Sequence, residues 1–374
     1  MAAINLIKFI DKYVGAILIS ILQFFTSKKQ ISANDKNVLV VRIWTLGESL
    51  LVIPILKKLK EKGYHVTVLV SNRSKLVFER LNFVDEILSL EKKADLLKSF
   101  KKYDVAIDTE PYENISALLS WFFAKKTIGY GGLFRDRMYS HKIKYDDSIH
   151  TSTMIAKLLE PFNIRFIPKE LIPIKFTKNE KEEMDVLLKK KFISKLGHGK
   201  INKKIVGIHA STAESSPWRS WKKERFAELS DKLTKKGFIV IFTGSKSEHS
   251  YNEKILSIIK NKEIVFNFAG ETTLYELSYL LTKCDVFISN DTGPMHLSAS
   301  MGTKTIGLFG PNLPERFSPL GKNNVAIYNS SELSCSPCIN VHKGEFKNCK
   351  INGKCMDLIT VEDVYDAVLK LLKM

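Results

Sequence analysis

The chain has 374 residues, 44% of them hydrophobic and 26% charged, so it has the composition of a folded protein and room for two domains. Its 58 Lys and Arg against 40 Asp and Glu leave a net charge of +18, which favours anionic partners unless it is only lysine-rich usage. No zinc-finger spacing, RNP-like aromatic string or clustered basic arm accompanies the charge. Nucleic acid is therefore set aside in favour of phosphorylated glycans and an anionic membrane surface.

Residues 4–25 read as an amphipathic helix, with Leu6, Ile10, Tyr13, Ile17, Ile21 and Phe24 on one stripe and Lys8, Asp11 and Lys12 near its start. The uncharged run between Lys12 and Lys28 is about 15 residues, short of the roughly 20 that span a bilayer. No small-residue cleavage site follows Phe25; Lys28-Lys29 comes instead. An interfacial helix over residues 1–30 is expected, separable from the rest of the chain, with docking on the protein's own surface as the alternative.

From Asn37 strands and helices alternate. Strands are expected at 38–43, 65–71 and 104–109, and helices at 49–62 and 116–124. Such a βαβ series implies a parallel, doubly wound sheet in a first domain over 37–195. Lys178 to Lys204, including Gly197-His198-Gly199, reads as a helix and the connection out of it. A second series fills 203–360. Its strands are expected at 205–211, 238–244, around Ile264, at Val286–Ile288 and at Thr305–Phe309. Its helices are expected at 224–236, after Tyr251 and at 274–282. A last helix covers 361–374.

Four segments carry chemistry. R-I-W-T-L-G-E-S-L-L-V-I-P (42–54) ends the first strand, and Glu48 stands near the start of the next helix, where the helix dipole alone is enough to explain it. H-A-S-T-A-E-S-S-P-W-R-S-W (209–221) offers Ser211 and Thr212 hydroxyls and backbone N–H groups to a phosphate, with Arg219 and Lys222 adding positive charge. Trp221 and Phe226 beside it are expected in the core. V-F-I-S-N-D-T-G-P-M-H-L-S-A (286–299) is a strand, a polar turn and a helix start. Asp291 or Thr292 is placed to cap the helix, and Gly293 and His296 follow. An ordinary turn with a buried His is the plain alternative. Cys335, Cys338, Cys349 and Cys355 suit a tetrahedral thiolate site for structural zinc or iron, with disulfides as the competing reading. Cys284 reads as a buried small hydrophobe.

D-T-G-P-x-H-L-x-A followed by L-F-G-P resembles the donor signature of glycosyltransferase family 9, the ADP-heptose:lipopolysaccharide heptosyltransferases. The resemblance covers roughly 37–370, so the N-terminal helix lies outside it. It implies an α/β fold of the GT-B class, two doubly wound Rossmann-like domains facing across a cleft, with an acceptor domain first, a donor domain second, and 361–374 packing back toward the first. It makes the acid at position 48 the base, although this chain has Glu48 where the family has Asp. It places Arg219, two residues before Trp221, on the donor phosphates. Asp291, Thr292, Gly293 and His296 would hold the donor loop, and Glu248 is a weaker candidate for ribose hydroxyls. The implied reaction is inverting heptose transfer from ADP-heptose to a lipid A–core acceptor. No cofactor is needed for it, and the site of action is the cytoplasmic face of the inner membrane. A protein O-heptosyltransferase and an inactive scaffold are the alternatives.

Overall fold

The computed structural model describes residues 2–196, 203–212, 216–346 and 348–374. The expected connection through Gly197-His198-Gly199, and residues 213–215 of the Ser/Thr-rich loop, lie outside the described residues. Two compact units emerge, one of Met1–Pro168 with Asn340–Phe346, the other of Lys169–Ile339 with Lys347–Met374.

The first unit opens with helix α1 (Ala2–Leu22) and continues through β1 (Asn37–Val41), α2 (Leu46–Glu61), β2 (His65–Val70), β3 (Glu86–Ser89), β4 (Tyr103–Asp108), α3 (Asn114–Phe123), β5 (Ala124–Gly131) and β6 (His141–Lys144). Its sheet is parallel in the order β3-β2-β1-β4-β5-β6. Val38 to Val41 are wholly buried, as expected of a central strand covered on both faces. Helix α2 begins three residues before the expected Ser49, which puts Glu48 in its first turn. Strands β3, β5 and β6 were not expected from the sequence; β6, with alternating half-exposed residues H-K-I-K, is the polar edge.

Helix α1 is not a detached appendage. Ile19 is fully buried with Ala117, Leu118, Met138 and Tyr139, and Leu22 packs beside them. A Cβ on Gly15 would lie 2.8 Å from the Asn114 Cβ, so glycine permits the close approach to α3. Asp11 then accepts from the Asn114 and Ile115 backbone N–H groups at 3.1 and 2.7 Å. This corrects the expectation of a separable helix, because α1 supplies both core and a cap. The predicted stripe faces the other way: Ile10, Tyr13, Ile17, Ile21 and Phe24 are all exposed, Phe24 by 82%. No helix among the described residues is long and apolar enough to cross a membrane.

The second unit contains α4 (Lys178–Leu196), β7 (Ile205–His209), α5 (Lys223–Lys235), β8 (Ile239–Phe242), β9 (Val265–Asn267), β10 (Val286–Asn290), α6 (Gly293–Ser300), β11 (Lys304–Phe309) and β12 (Val325–Tyr328). A two-stranded hairpin, β13 (Ile339–Asn340) with β14 (Glu345–Phe346), and helix α7 (Val361–Leu372) follow. The second sheet is also parallel, ordered β12-β11-β10-β7-β8-β9. Trp221 and Phe226 are fully buried and Cys284 nearly so, as expected. The expected return of 361–374 toward the first domain is corrected. Val361, Val364, Val368 and Leu372 form one helical face inside the second unit's own core.

Candidate active site

Both sheets reverse their winding beside their first strand, between β1 and β4 and between β7 and β10. Ligands of doubly wound sheets collect at that switch point, beyond the carboxyl ends of the strands. The candidate residues of each unit gather there.

In the first unit, Arg42 follows β1 and is 1% exposed. Its Nη1 lies 3.1 Å from Glu110 Oε2 and donates to the Thr109 carbonyl at 3.3 Å. Its Nη2 donates to Glu48 Oε2, which also accepts from the Thr45 hydroxyl at 2.8 Å. Glu110 follows β4, and its Oε1 accepts from the Ile43 and Trp44 N–H groups at 2.7 and 3.1 Å, tying down the loop that leads to α2. Asp108 continues the network: it accepts from the Glu110 N–H at 3.0 Å, the Tyr139 hydroxyl at 2.8 Å, and Arg135.

Burial pushes the Glu110 carboxyl up to about 8; the Glu113 and Glu48 charges add to this, and Arg42 opposes it. Burial would lower the Arg42 guanidinium, but Glu110, Glu48 and Glu113 more than reverse that, and it stays cationic. Arg42, Glu48, Thr109, Tyr130, Tyr145 and Val341 are among the residues lining a pocket in this unit. Glu48 is about a quarter exposed and receives its two protein bonds on one oxygen, which leaves Oε1 to accept a proton.

In the second unit the parallel register pairs His209 with Ser289, so the loops after β7 and β10 run side by side. Asn290 joins them. Its Nδ2 donates to the Ala210 carbonyl at 2.9 Å, and its Oδ1 accepts from the Trp221 N–H at 3.0 Å. A 3-10 turn, Pro217–Arg219, brings the Arg219 guanidinium to the Asp291 carbonyl at 2.5 Å and its carboxylate at 3.1 Å. The same carboxylate accepts from Asn312 at 2.9 Å. Ser211 donates to Glu248 at 2.5 Å, and Thr212 lies at 3.4 Å from the Ser216 carbonyl. Burial alone would raise the Glu248 carboxyl; the His209 ring beside it and hydrogen bonds from Ser211 and Ser245 outweigh burial and hold it below the usual range.

One expectation here is corrected. Neither Asp291 nor Thr292 caps α6: Thr292 occupies the N-cap position, but its hydroxyl engages the Asn290 carbonyl at 3.3 Å and Ser289 at 3.0 Å. The first turn of α6, opening with Gly293, therefore has no side-chain cap. Lys222 turns from the loop to pair with Asp357 at 2.8 Å. His296 is buried in α6 with its ring 6.5 Å from that of Phe317, as in the plain reading.

The cysteine segment docks beside the loop after β11. The Cys338 N–H donates to the Pro311 carbonyl at 3.1 Å, and a Cβ on Gly310 would lie 2.9 Å from Cys355 Sγ. Burial pushes the Cys355 thiol up to about 11, and the nearby Cys338, Cys349 and Cys335 add to it. The four thiols are thus neighbours and none forms a disulfide. Among the described residues, however, no three His, Cys, Asp or Glu side chains are arranged to hold one metal ion.

Sequence reasoning missed Arg42, Asp108, Glu110, Arg135, Asn290 and Asn312. A charged residue at the end of an apolar strand or within two residues after it is the available signal, and it marks Arg42, Asp108 and Glu110.

The model of glycosyltransferase family 9 (heptosyltransferase) matches residues 94–348, more than half of the chain. Lipooligosaccharide heptosyltransferase 2 of Campylobacter jejuni subsp. jejuni serotype O:2 is 34% identical over 173 residues, 46% of this chain and 52% of that protein. The chain spans about half the length of the curated relatives it matches. A family 9 glycosyl transferase from Veillonella parvula superposes with a TM-score of 0.72 at 22% identity, over 93% of this chain and 99% of that one. E. coli ADP-heptose LPS heptosyltransferase II superposes with a TM-score of 0.68 at 21% identity, over 90% and 98%. At these identities the likeness speaks for fold, and the expected GT-B class is borne out in that sense.

Proposed function

The chain belongs to glycosyltransferase family 9, and from that premise we propose that it moves a heptose from ADP-heptose to a lipopolysaccharide core acceptor. The observation that carries this reading is Glu48, held through one oxygen by Arg42 and Thr45 at the wall of the first unit's pocket. Glu48 Oε1 takes the proton of an acceptor hydroxyl as the hydroxyl oxygen bonds to the anomeric carbon. The anomeric C–O bond to the diphosphate breaks, and ADP leaves with the electron pair. One displacement inverts the configuration.

Negative charge grows on the departing diphosphate. Arg219, the Ser211–Thr212 loop and the uncapped first turn of α6 are the groups suited to meet it. Glu248, fixed against Ser211, is the candidate for ribose hydroxyls. No metal takes part in these steps. A structural zinc or iron at Cys335, Cys338, Cys349 and Cys355 rests on their spacing, and elemental analysis of the purified protein decides it: one equivalent per chain supports the site and none removes it.

We further place the enzyme peripherally on the cytoplasmic face of the inner membrane. This rests on the exposed apolar stripe of α1 and the adjacent Lys28-Lys29. Ile17→Asp together with Ile21→Asp, both exposed, should abolish flotation with anionic vesicles; unchanged flotation removes the stripe from the argument.

Incubation of purified protein with ADP-heptose and defined core acceptors tests the activity. ADP release coupled to a heptosylated glycan supports it. Release only with Ser- or Thr-bearing peptides moves the acceptor to protein, and no release with either leaves an inactive scaffold.

A further inference from the structure

One part of the cysteine segment is not absorbed by donor chemistry. Between Cys338 and Cys349 the chain forms the β13–β14 hairpin, and its residues Asn340–Phe346 belong to the first unit, although the chain on either side belongs to the second. The tip is a tight turn, closed by the Gly344 N–H donating to the Val341 carbonyl and the Lys343 N–H to Asn340 Oδ1, each at 3.1 Å.

Gly344 has φ +63°, and a Cβ there would meet the Tyr112 ring at 2.6 Å, so the backbone lies directly on that ring. The His342 ring stacks on Tyr145 with centroids 4.0 Å apart and planes 8° from parallel. Tyr130 stands edge-on to Tyr145 at 5.1 Å and to His342 at 6.5 Å. Val341 lines the same pocket as Glu48 and Arg42. Val341 thus joins Tyr130, Tyr145 and Ile155 as the apolar and aromatic wall of a pocket that Arg42 and Glu48 also line, and His342 backs that wall through Tyr145. Burial lowers the His342 ring's proton affinity, so it stacks as a neutral ring near pH 7. A wall of this kind suits the C–H face of a sugar ring, while Glu48, Arg42 and Thr109 suit its hydroxyls.

We propose that this hairpin tip, through Val341 and His342, determines which acceptor sugar enters the Glu48 pocket. The proposal rests on the acceptor reading given above. It gives the spacing of the cysteines a purpose, since they bracket in sequence the segment that carries the tip.

The test uses the full chain, ADP-heptose, and a panel of oligosaccharide acceptors differing in their terminal sugar. His342→Ala should raise the acceptor KM about tenfold, the scale of one lost packing contact in a specificity pocket. Gly344→Val, which forces the tip off Tyr112, should raise it further. Both should change the ranking among acceptors while kcat and the donor KM stay within about twofold. An unchanged acceptor KM and ranking, or a donor KM that rises in parallel, overturns the proposal. A second readout needs no turnover, so it separates this idea from the activity itself. Carbodiimide labelling of Glu48, mapped by mass spectrometry, should accelerate several-fold in Gly344→Val as the wall is removed. Equal labelling in both proteins overturns the proposal even if no acceptor is ever found.

Discussion

In the first unit the candidate base is held by buried charge. Glu48 leans on Arg42, Arg42 is shared with Glu110, and Glu110 is tied to two backbone N–H groups more than sixty residues away in sequence. In the second unit the candidate donor groups are held by short polar loops, with Asn290 bridging them and Arg219 resting on a carbonyl and one carboxylate. A base has to keep one geometry while its proton comes and goes, and a buried network with few rearrangements provides that. A diphosphate that arrives and departs needs donors that open and close, and loops at strand ends provide those. The two units share a topology and differ in how they spend charge.

The largest effect expected is at the base. Glu48→Gln should slow transfer by about 10²- to 10⁴-fold, the usual contribution of general-base catalysis, while ADP affinity measured by calorimetry stays near normal. Glu48→Asp should retain activity, because the family's own Asp occupies this place. A fully active Gln variant would break the comparison at its centre.

Next comes the network beneath it. Arg42→Ala leaves the buried Glu110 Oε2 without its partner, and should cost about 1–3 kcal/mol in urea unfolding. The double substitution Arg42→Met with Glu110→Leu removes both partners and should be less destabilised than the single one. If the double variant is worse than Arg42→Ala, the pair is a net source of stability and not only a positioning device.

This division also explains what could be read in advance. The candidate donor side is contiguous: N-D-T-G-P and the Ser/Thr loop sit in two short strings, and a motif with a local mechanism can be recognised as a string. The candidate acceptor side is assembled from β1, β4, the 3-10 turn at Phe134–Met138 and the hairpin tip, and no local pattern joins Arg42 to Glu110 or Asp108 to Arg135. Central strands such as β1 and β10 announced themselves by apolar runs. Strand β6, half exposed and lysine-rich, carried no such signal. Helix α1 was legible as amphipathic, but its polar face hid a structural role, because Asp11 meets α3 only in the fold.

For donor binding, Arg219→Ala should weaken ADP by about 1.5–3 kcal/mol, the scale of a hydrogen bond to a charged group. The loss should be smaller with AMP. Equal losses for both nucleotides would mean that Arg219 does not read the second phosphate.

The buried charge of the first unit also predicts a pH slope. The folded Glu110 carboxyl titrates at about 8 against an ordinary 4.5, so between those values the folded protein holds a proton that the unfolded chain has lost. Stability therefore falls as pH rises through that window, with a contribution of at most about 1.4 kcal/mol per pH unit from this group. Glu110→Gln should flatten this slope, gaining relative to the parent from pH 5 to pH 8. Parallel profiles for the two proteins would show that Glu110 stays ionised throughout.

The smallest effect sharpens the comparison in a different way. The second unit caps several helices from within the local sequence. Thr273 with Glu276, and Thr360 with Asp363, each close a capping box four residues long. Helix α3 of the first unit has Glu113 at its N-cap position with no side-chain cap bond, and takes its cap from Asp11, over one hundred residues earlier in the chain. Asp11→Ala should therefore cost about 1 kcal/mol, the typical value of a lost cap, and Asp11→Asn about half of that, since one acceptor oxygen remains. The loss should appear in thermal unfolding of the parent, and deleting residues 1–30 should cost more than Asp11→Ala does, because the deletion removes the same two hydrogen bonds together with buried Ile19. If Asp11→Ala leaves the unfolding midpoint unchanged, or if the deletion variant is as stable as the parent, α1 is an accessory after all, and its exposed apolar face is its whole role.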